Sequence, residues 1–244
     1  MSLTVVIPAY NEEKDIERTL QSVTFADEII ILLDQRTTDA TGEIAKKHGA
    51  LVVPYTHESF SKMRNDGDSL ANSDWVFSIE ADVVVSPELA VEIKSATSAS
   101  SDTKAYYIQR ENIIWGKTIW HTDWGPKDDR HIWLYQKGVG EWKSAVHEEF
   151  ITKEKTGELK NHLIHFNYET VREFIDKVNS FSDKALSQAK KPDWIRPLYD
   201  FLKRYFYKLG FLDGYRGIFL SYLQAIYYLT LNIKIREKRY TQSR

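Results

Sequence analysis

The sequence contains no cysteine. This absence excludes disulfide bonds, thiolate metal sites and cysteine nucleophiles, and it is compatible with a reducing cytoplasm. Three motifs are also missing, namely the phosphate loop GxxxxGK(S/T), the dinucleotide fingerprint GxGxxG and the zinc-protease motif HExxH. A nucleotide-using enzyme without these motifs needs another way to bind phosphate, and a divalent ion held by carboxylates is the obvious one.

Long hydrophobic runs are also scarce. Residues 1–8 lack a basic segment followed by a long apolar one, so we expect no secretory signal. The longest nearly uncharged stretch, residues 217–233, has 17 residues and lies at the short limit for a membrane-spanning helix. Its tyrosines and flanking Lys and Arg fit a segment at the membrane interface better. The alternative is a pair of helices packed on the domain or on a second subunit.

Positive charge is concentrated at one end of the chain. The net charge is −2, yet residues 194–244 contain ten Lys or Arg against three Asp or Glu. A basic, aromatic tail on an acidic body indicates an anionic partner, and a membrane surface fits this tail better than nucleic acid. The composition of the whole chain, 42% hydrophobic and 28% charged, is that of a globular protein.

Strand and helix signals alternate over the first ninety residues. Buried strands are predicted at 3–8, 28–34, 51–53 and 75–79, with helices after Asn11, over 41–48, over 61–72 and from Ser86. Because these strands are apolar rather than alternating, they favour a parallel sheet that is covered on both faces. Ligands bind beyond the carboxyl ends of the strands in such sheets.

Two carboxylates, Glu80 and Asp82, follow the apolar strand at 75–79. At spacing i and i+2 on an extended chain they point to the same side, and they repel each other unless a cation lies nearby. Hard oxygen ligands suit Mg²⁺ or Mn²⁺. Asp34 ends another predicted strand at the same edge. The alternative is a strand that merely finishes in a polar loop.

The signals change after the Ser-rich loop at 95–104. Shorter strands of mixed character are predicted at 105–109 and 132–136, and an amphipathic helix at 169–190. The intervening segment, 115–129, either contacts ligand or is a packed loop. The same two alternatives, contact with a ligand or packing, hold for four tryptophans: Trp115, Trp120, Trp124 and Trp142.

Six motifs in order carry a resemblance to a known family. They are 5–13 (VVIPAYNEE), 26–30 with 34–41, 63–65 (MRN, like QRN), 80–82 (EAD, in the place of DxD), 145–148 (AVHE, like VHE) and 211–217 (FLDGxxG). Nearly the whole chain thereby resembles family 2 glycosyltransferases, which have the GT-A fold, and the subgroup of lipopolysaccharide core β-glucosyltransferases. The resemblance implies an α/β mixed sheet with flanking helices over 1–190, and a C-terminal helical appendage over 191–244.

The resemblance also implies a reaction, an inverting, metal-dependent transfer of a hexose from a UDP-sugar with Mg²⁺ or Mn²⁺ as cofactor. The acceptor would be a lipid-linked glycan such as the lipopolysaccharide core, met by a cytoplasmic enzyme held at the inner face of the plasma membrane. Two alternatives remain. The first is a nucleotidyltransferase, although such enzymes usually have a Gly-rich basic N-terminal loop and residues 8–13 are acidic. The second is a non-catalytic protein that binds nucleotide sugars.

Site residues follow from the family's motifs. The resemblance implies metal binding by Asp82 and His165, and a general base at Glu148, with Glu149 as second choice. Nucleotide-sugar binding is implied for Pro8, Ala9, Tyr10, Glu12, Asp34, Asp39, Arg64, Glu80, Ala81 and Arg130. Structural roles are the alternatives: a helix cap for Asp39, salt bridges for Arg64 and Glu148, and a strand-end histidine for His165. The sequence departs from the family at Glu80, Arg36 and Ala40, which replace an Asp and two glycines.

Overall fold

The structure is a computed structural model, and it describes residues 1–56, 58–144, 148–186 and 191–242. Within these ranges the strands are β1 (Leu3–Ala9), β2 (Glu28–Asp34), β3 (Leu51–Tyr55), β4 (Trp75–Ser78), β5 (Val83–Val85), β6 (Ala105–Ile114), β7 (Lys117–Thr118), β8 (Arg130–Gln136), β9 (Gly140–Lys143), β10 (Glu149–Thr152), β11 (Thr156–Glu158) and β12 (Leu163–Tyr168). The α-helices are α1 (Ile16–Ser22), α2 (Thr41–Lys47), α3 (Phe60–Leu70), α4 (Pro87–Ser98), α5 (Val171–Leu186), α6 (Arg196–Leu202) and α7 (Tyr215–Gln242).

The chain divides into two compact units. The first comprises residues 1–110 and 129–165, and the second comprises residues 111–128 and 166–244. Strands β6 and β12 continue from one unit into the other. The predicted boundary near residue 190 stays a prediction.

The first unit is built on a mixed sheet in the order β3-β2-β1-β4-β8-β6. The first four of these strands are parallel, whereas β8 is antiparallel to both β4 and β6. The parallel strands are apolar because both faces are covered, and Val5, Ile31 and Phe77 are fully buried. This confirms the predicted α/β class with a mixed sheet.

Strand direction decides which residues share the functional edge of this sheet. Strands β1, β2 and β4 all end there, and β8 begins there because it runs the opposite way. Strand β6 is antiparallel to β8, so its residues near Gln109 reach the same edge, where Gln109 pairs with Arg130. Two strands and their loops therefore join the edge that the carboxyl ends of the parallel strands form.

Loop and cap residues fix the elements around that edge. Ser59 and Ser86 accept backbone hydrogen bonds at the starts of α3 and α4, which is the usual N-cap interaction. The sequence predicts a helix directly after Asn11, with Asn11 as its cap, but α1 begins only at Ile16. Asn11 has φ of 54°, a left-handed conformation that asparagine tolerates, and its side chain accepts a hydrogen bond from Thr38 N–H at 2.9 Å. It therefore ties the loop after β1 to the loop after β2.

The second unit has its own apolar cluster, formed by Ile114, Ile119, Tyr168, Phe174, Val178, Leu220 and Leu223. A segment before α7 holds the loop that follows β7. The carboxylate of Asp213 accepts the backbone N–H groups of Trp120 and His121, at 3.2 and 2.9 Å. A Cβ added at Gly217 would lie 1.7 Å from the carbonyl oxygen of Gly210, so this contact requires glycine.

Helix α7 covers 28 residues, including the nearly uncharged stretch at 217–233. Among the helices that the structure describes, none is long and apolar enough to cross a membrane.

Candidate functional site

Glu80, Asp82 and His165 form a cluster in the first unit. The two carboxylates lie in the turn between β4 and β5, and His165 lies on β12 opposite Val83 of β5. His165 Nε2 is 3.2 Å from Asp82 Oδ2 and 3.9 Å from Glu80 Oε2. One ligand atom of each residue lies within 4.8 Å of the other two. Two carboxylate oxygens and one imidazole nitrogen are a donor set that suits Mg²⁺ or Mn²⁺.

Two residues that the sequence reasoning missed, Arg110 and Asp129, complete the surroundings of Glu80. Arg110 Nη1 donates to Glu80 Oε2, and Arg110 Nε donates to Asp129 Oδ1 at 3.0 Å. Both residues lie where β6 and β8 meet, since Arg110 N–H also donates to the Asp129 carbonyl at 2.8 Å. A salt bridge of this kind joins residues that are far apart in sequence, and no local pattern marks it.

Charge near Glu80 sets its ionisation. Desolvation alone would raise the pKa of this carboxyl, but the positive charge of Arg110, followed by His165, outweighs it and holds the pKa below its usual value. Desolvation would likewise lower the pKa of Arg110, but the charges of Glu80 and Asp129 raise it. Glu80 is therefore a carboxylate and Arg110 a cation at any ordinary pH.

Arg64 lies on α3 beneath the same edge, and its side chain is only 3% exposed. Its Nη1 donates to the Ser78 hydroxyl at 2.8 Å, and its Nε lies 3.2 Å from Glu148 Oε1. The guanidinium lies over the rings of Trp142 and Trp133, with 4.6 and 5.3 Å from its carbon to the ring centroids. This arrangement stabilises a buried cation by ion pairing and cation–π contact together.

The two base candidates have different surroundings. Glu148 is 16% exposed, and its ion pair with Arg64 connects it to the Glu80 cluster, because Arg64 Nη2 is 3.9 Å from Glu80 Oε1. Glu149 begins β10 on the exposed side, paired in register with Lys143. The other three residues of the predicted VHE motif segment, 145–147, lie outside the described residues.

The loops after β1 and β2 carry the predicted nucleotide residues at the same sheet edge. Buried Asp34 accepts two bonds from the Arg36 guanidinium, at 2.9 and 2.5 Å. Arg36 also covers the ring of half-exposed Tyr10, with its carbon 5.2 Å from the ring centroid. Arg36 stands where the family has a glycine. Its guanidinium binds the Asp34 carboxylate, which the family resemblance assigns to nucleotide binding.

The other predicted residues of these loops hold the loops together. Asp39 Oδ1 accepts the hydroxyl and N–H of Thr41, and its Oδ2 accepts the N–H of Glu13. Glu12 N–H donates to the Thr41 hydroxyl at 2.8 Å. Pro8 and Ala9 end β1. The loop after β1 is thus bonded to the start of α2.

Two predicted residues have partners of their own beside the cluster. The Ala81 carbonyl accepts the Thr19 hydroxyl at 2.7 Å, which anchors the turn between Glu80 and Asp82 to α1. Arg130 pairs with Glu158 at 2.8 Å, whereas Arg110 donates a hydrogen bond directly to Glu80.

The four tryptophans are in two different situations. Trp142 is buried against Arg64 in the first unit. In the second unit, Trp124 packs on Tyr168 and Trp115 packs on Phe219. Trp120 is 55% exposed, so of these four it is the one whose ring is open to solvent.

Comparison with known proteins finds a family match over most of the chain. A model of the family described as Glycosyl transferase family 2 matches residues 4–173. An uncharacterized glycosyltransferase of Rickettsia bellii is 24% identical over 96% of this chain and 86% of its own length. The crystal structure of S. aureus TarS 1-349 superposes over 100% of this chain and 92% of its own, with a TM-score of 0.50 and 15% identity.

A Mycobacterium tuberculosis glucosyl-3-phosphoglycerate synthase, crystallised with Mn²⁺, UDP and phosphoglyceric acid, is similar over a smaller part. The alignment covers 46% of this chain and 43% of that one, at 22% identity and a TM-score of 0.37.

Proposed function

The chain belongs to glycosyl transferase family 2, and from that premise we propose that it is an inverting, metal-dependent hexosyltransferase. Its donor is a nucleoside diphosphate sugar, UDP-linked, and its acceptor is a membrane-linked glycan such as the lipopolysaccharide core. The observation that carries this proposal is the cluster of Glu80, Asp82 and His165 at the carboxyl ends of the parallel strands. Fold alone would not support a function; the donor set within this family does.

Asp82 and His165 would hold the divalent ion, and the Glu80 carboxylate would offer a third ligand oxygen. Such an ion neutralises the charge that develops on a leaving diphosphate. Arg64 would stabilise the same negative charge from a fixed, buried position. A preorganised cation stabilises a transition state more than a mobile one does. Arg130 stays a predicted contributor of this kind, and its pairing with Glu158 would first have to open.

Glu148 is the general base in this proposal, with Glu149 as second choice. A base must accept the acceptor's hydroxyl proton while that oxygen attacks the anomeric carbon. The ion pair with Arg64 orients the Glu148 carboxylate towards the cluster. The nucleoside would lie along Pro8, Ala9 and Tyr10, with Glu12, Asp34 and Asp39 in the loops beside them.

Donor turnover tests the proposal. Purified protein is incubated with UDP-sugars and Mn²⁺ or Mg²⁺, and release of UDP is measured with and without chelator. Asp82→Asn should lower the rate by at least about 100-fold, on the scale of losing one preorganised charge contact. Glu88→Gln, an exposed carboxylate on α4, is the matched control and should retain activity. Metal-independent release, or full activity of Asp82→Asn, would contradict the proposal; binding of UDP-sugars without turnover would favour a non-catalytic binding protein.

A second part of the proposal concerns location, at the inner, cytoplasmic face of the plasma membrane. The second unit exposes many large apolar side chains around α6, among them Ile195, Leu198, Phe206, Tyr207 and Leu212. Basic residues lie among them, and basic residues near an anionic leaflet contribute about 1 kcal/mol each. Exposed apolar surface next to positive charge is typical of peripheral attachment.

Vesicle sedimentation tests this location. The protein should bind vesicles of phosphatidylcholine with phosphatidylglycerol and bind pure phosphatidylcholine several-fold less. A double substitution, Leu198→Ser with Phe206→Ser, should weaken binding, whereas Leu70→Ser on α3 should not, although Leu70 is also exposed. If the protein binds neither type of vesicle, and gel filtration shows a dimer that the double substitution dissociates, this surface joins two subunits instead.

A further inference from the structure

Arg110 places a positive charge directly on the candidate cation site. Its Nη1 donates to Glu80 Oε2, and that same oxygen faces His165 Nε2 at 3.9 Å. A divalent ion bound by Glu80, Asp82 and His165 would therefore compete with a guanidinium for one of its ligand atoms.

The position of Arg110 is fixed rather than incidental. Its side chain is 15% exposed, its Nε donates to both oxygens of Asp129 at 3.0 and 3.1 Å, and its guanidinium lies over Trp133 at 5.4 Å. Exposed ion pairs are screened by water and salt. Arg110 and Asp129 are 15% and 11% exposed and are screened less, whereas Glu80 is 35% exposed and keeps part of its hydration. Water therefore screens the charge of Arg110 on the cluster only in part.

We propose that Arg110 is an internal counter-ion of the cation site, which couples metal binding to nucleotide binding. Without a nucleotide, Arg110 neutralises Glu80 and lowers the affinity of the site for a divalent ion alone. When the donor's diphosphate binds, Arg110 pairs with it and releases Glu80, with Asp129 as its anchor. This inference rests on the proposed function, because it needs a metal and a nucleoside diphosphate at one site.

The coupling predicts effects of opposite sign for two neighbouring substitutions. Arg110→Met should bind Mn²⁺ alone at least about tenfold more tightly than the wild type, because a repelling charge has been removed. Asp129→Asn should bind Mn²⁺ several-fold more weakly, because Arg110 then loses its compensating carboxylate. If Arg110 merely held Glu80 in place, Arg110→Met would weaken Mn²⁺ binding instead.

The test measures Mn²⁺ dissociation constants by electron paramagnetic resonance, with and without UDP. UDP should lower the Mn²⁺ dissociation constant of the wild type markedly. The factor by which UDP lowers it should be at least about tenfold smaller for Arg110→Met. Arg172→Met, an exposed arginine on α5, removes one charge in the same way and should leave both constants within about twofold of the wild type. Circular dichroism of each variant confirms that it is folded.

The outcomes separate this inference from the function on which it rests. If the wild type binds Mn²⁺ with UDP and Arg110→Met shows unchanged or weaker binding of Mn²⁺ alone, the counter-ion role is wrong and the proposed function stands. If the wild type binds no Mn²⁺ with or without UDP, both are wrong. Tighter binding of Mn²⁺ alone by Arg110→Met, with reduced coupling to UDP, supports the inference.

Discussion

Replacing the buried Arg64 by methionine should destabilise the protein strongly and in a way that depends on Glu148. Methionine fills much of the space of the arginine stem but removes the hydrogen bond to Ser78 and the ion pair to Glu148. It also removes the cation that lies over Trp133 and Trp142. Two polar groups are then left at a buried edge without their former partner.

The expected size follows from these contacts. Removing one member of a buried ion pair costs about 3–5 kcal/mol. Glu148 is 16% exposed and can regain some hydration, so we expect the lower end, about 3 kcal/mol, for Arg64→Met. Glu148→Gln should cost about 1 kcal/mol, because the amide oxygen still accepts from Arg64. The double substitution should cost about 1–2 kcal/mol less than the sum, since it leaves no unpaired carboxylate.

Urea unfolding of the four proteins, followed by near-ultraviolet circular dichroism, measures this coupling. The aromatic signal reports the packing of Trp133 and Trp142 against Arg64, and equal m values show that the same surface unfolds in each protein. Costs that add to within about 0.3 kcal/mol would refute the reasoning, because they would show that Glu148 is insensitive to Arg64.

Three further predictions concern other parts of the fold. Desolvation raises the pKa of Asp68 to about 6 despite its hydrogen bond from Tyr135, so the folded state binds this proton more tightly than the unfolded state. The folded protein should therefore lose stability as pH rises from about 4 to about 7 and Asp68 ionises. The Tm of Asp68→Asn should rise relative to that of the wild type across this range, and a constant difference in Tm would contradict the assignment. A Cβ at Gly67 would lie 2.6 and 2.7 Å from side chains of β1 and β2, so Gly67→Ala should lower stability by about 1–2 kcal/mol in thermal unfolding, and an unchanged Tm would show that α3 can move away. Asp213→Ala removes the acceptor for the N–H groups of Trp120 and His121, and proteolysis should then cut this loop several-fold faster than in the wild type, with equal rates as the contrary result.

The parallel half of the fold could be predicted because its signals are local. Strands β1, β2 and β4 are continuous apolar runs, and burial on both faces produces such runs. The spacing of Glu80 and Asp82 indicated that the two carboxylates lie together, and the structure brings both to His165. They lie in the turn after β4, however, and not on an extended strand as predicted. Asn11 misled the prediction because its side chain bonds to Thr38 across a loop, which no short pattern reveals.

The other half of the site depends on strand order, which local patterns do not contain. Arg110, which Asp129 holds in place, reaches Glu80 only because β8 runs antiparallel between β4 and β6. The sequence indicated a strand at 105–109, but the structure extends β6 to Ile114 and so carries Arg110 within a strand. The available signal was a charged residue, Arg110, inside a predicted strand region. It could be interpreted only once the pairing of β6 with β8 was known.

Trp133 has a practical consequence that follows from its two neighbours. The guanidinium carbons of Arg64 and Arg110 lie 5.3 and 5.4 Å from its ring, so one indole is next to both cations of the site. Because the emission energy of an indole depends on nearby charge, displacement of either guanidinium should shift the fluorescence of this ring. The spectrum of the wild type minus that of Trp133→Phe would then isolate one of seven tryptophans. The protein thus contains an optical reporter of its own site, and ligands can be screened by wavelength without labels, before any acceptor is known.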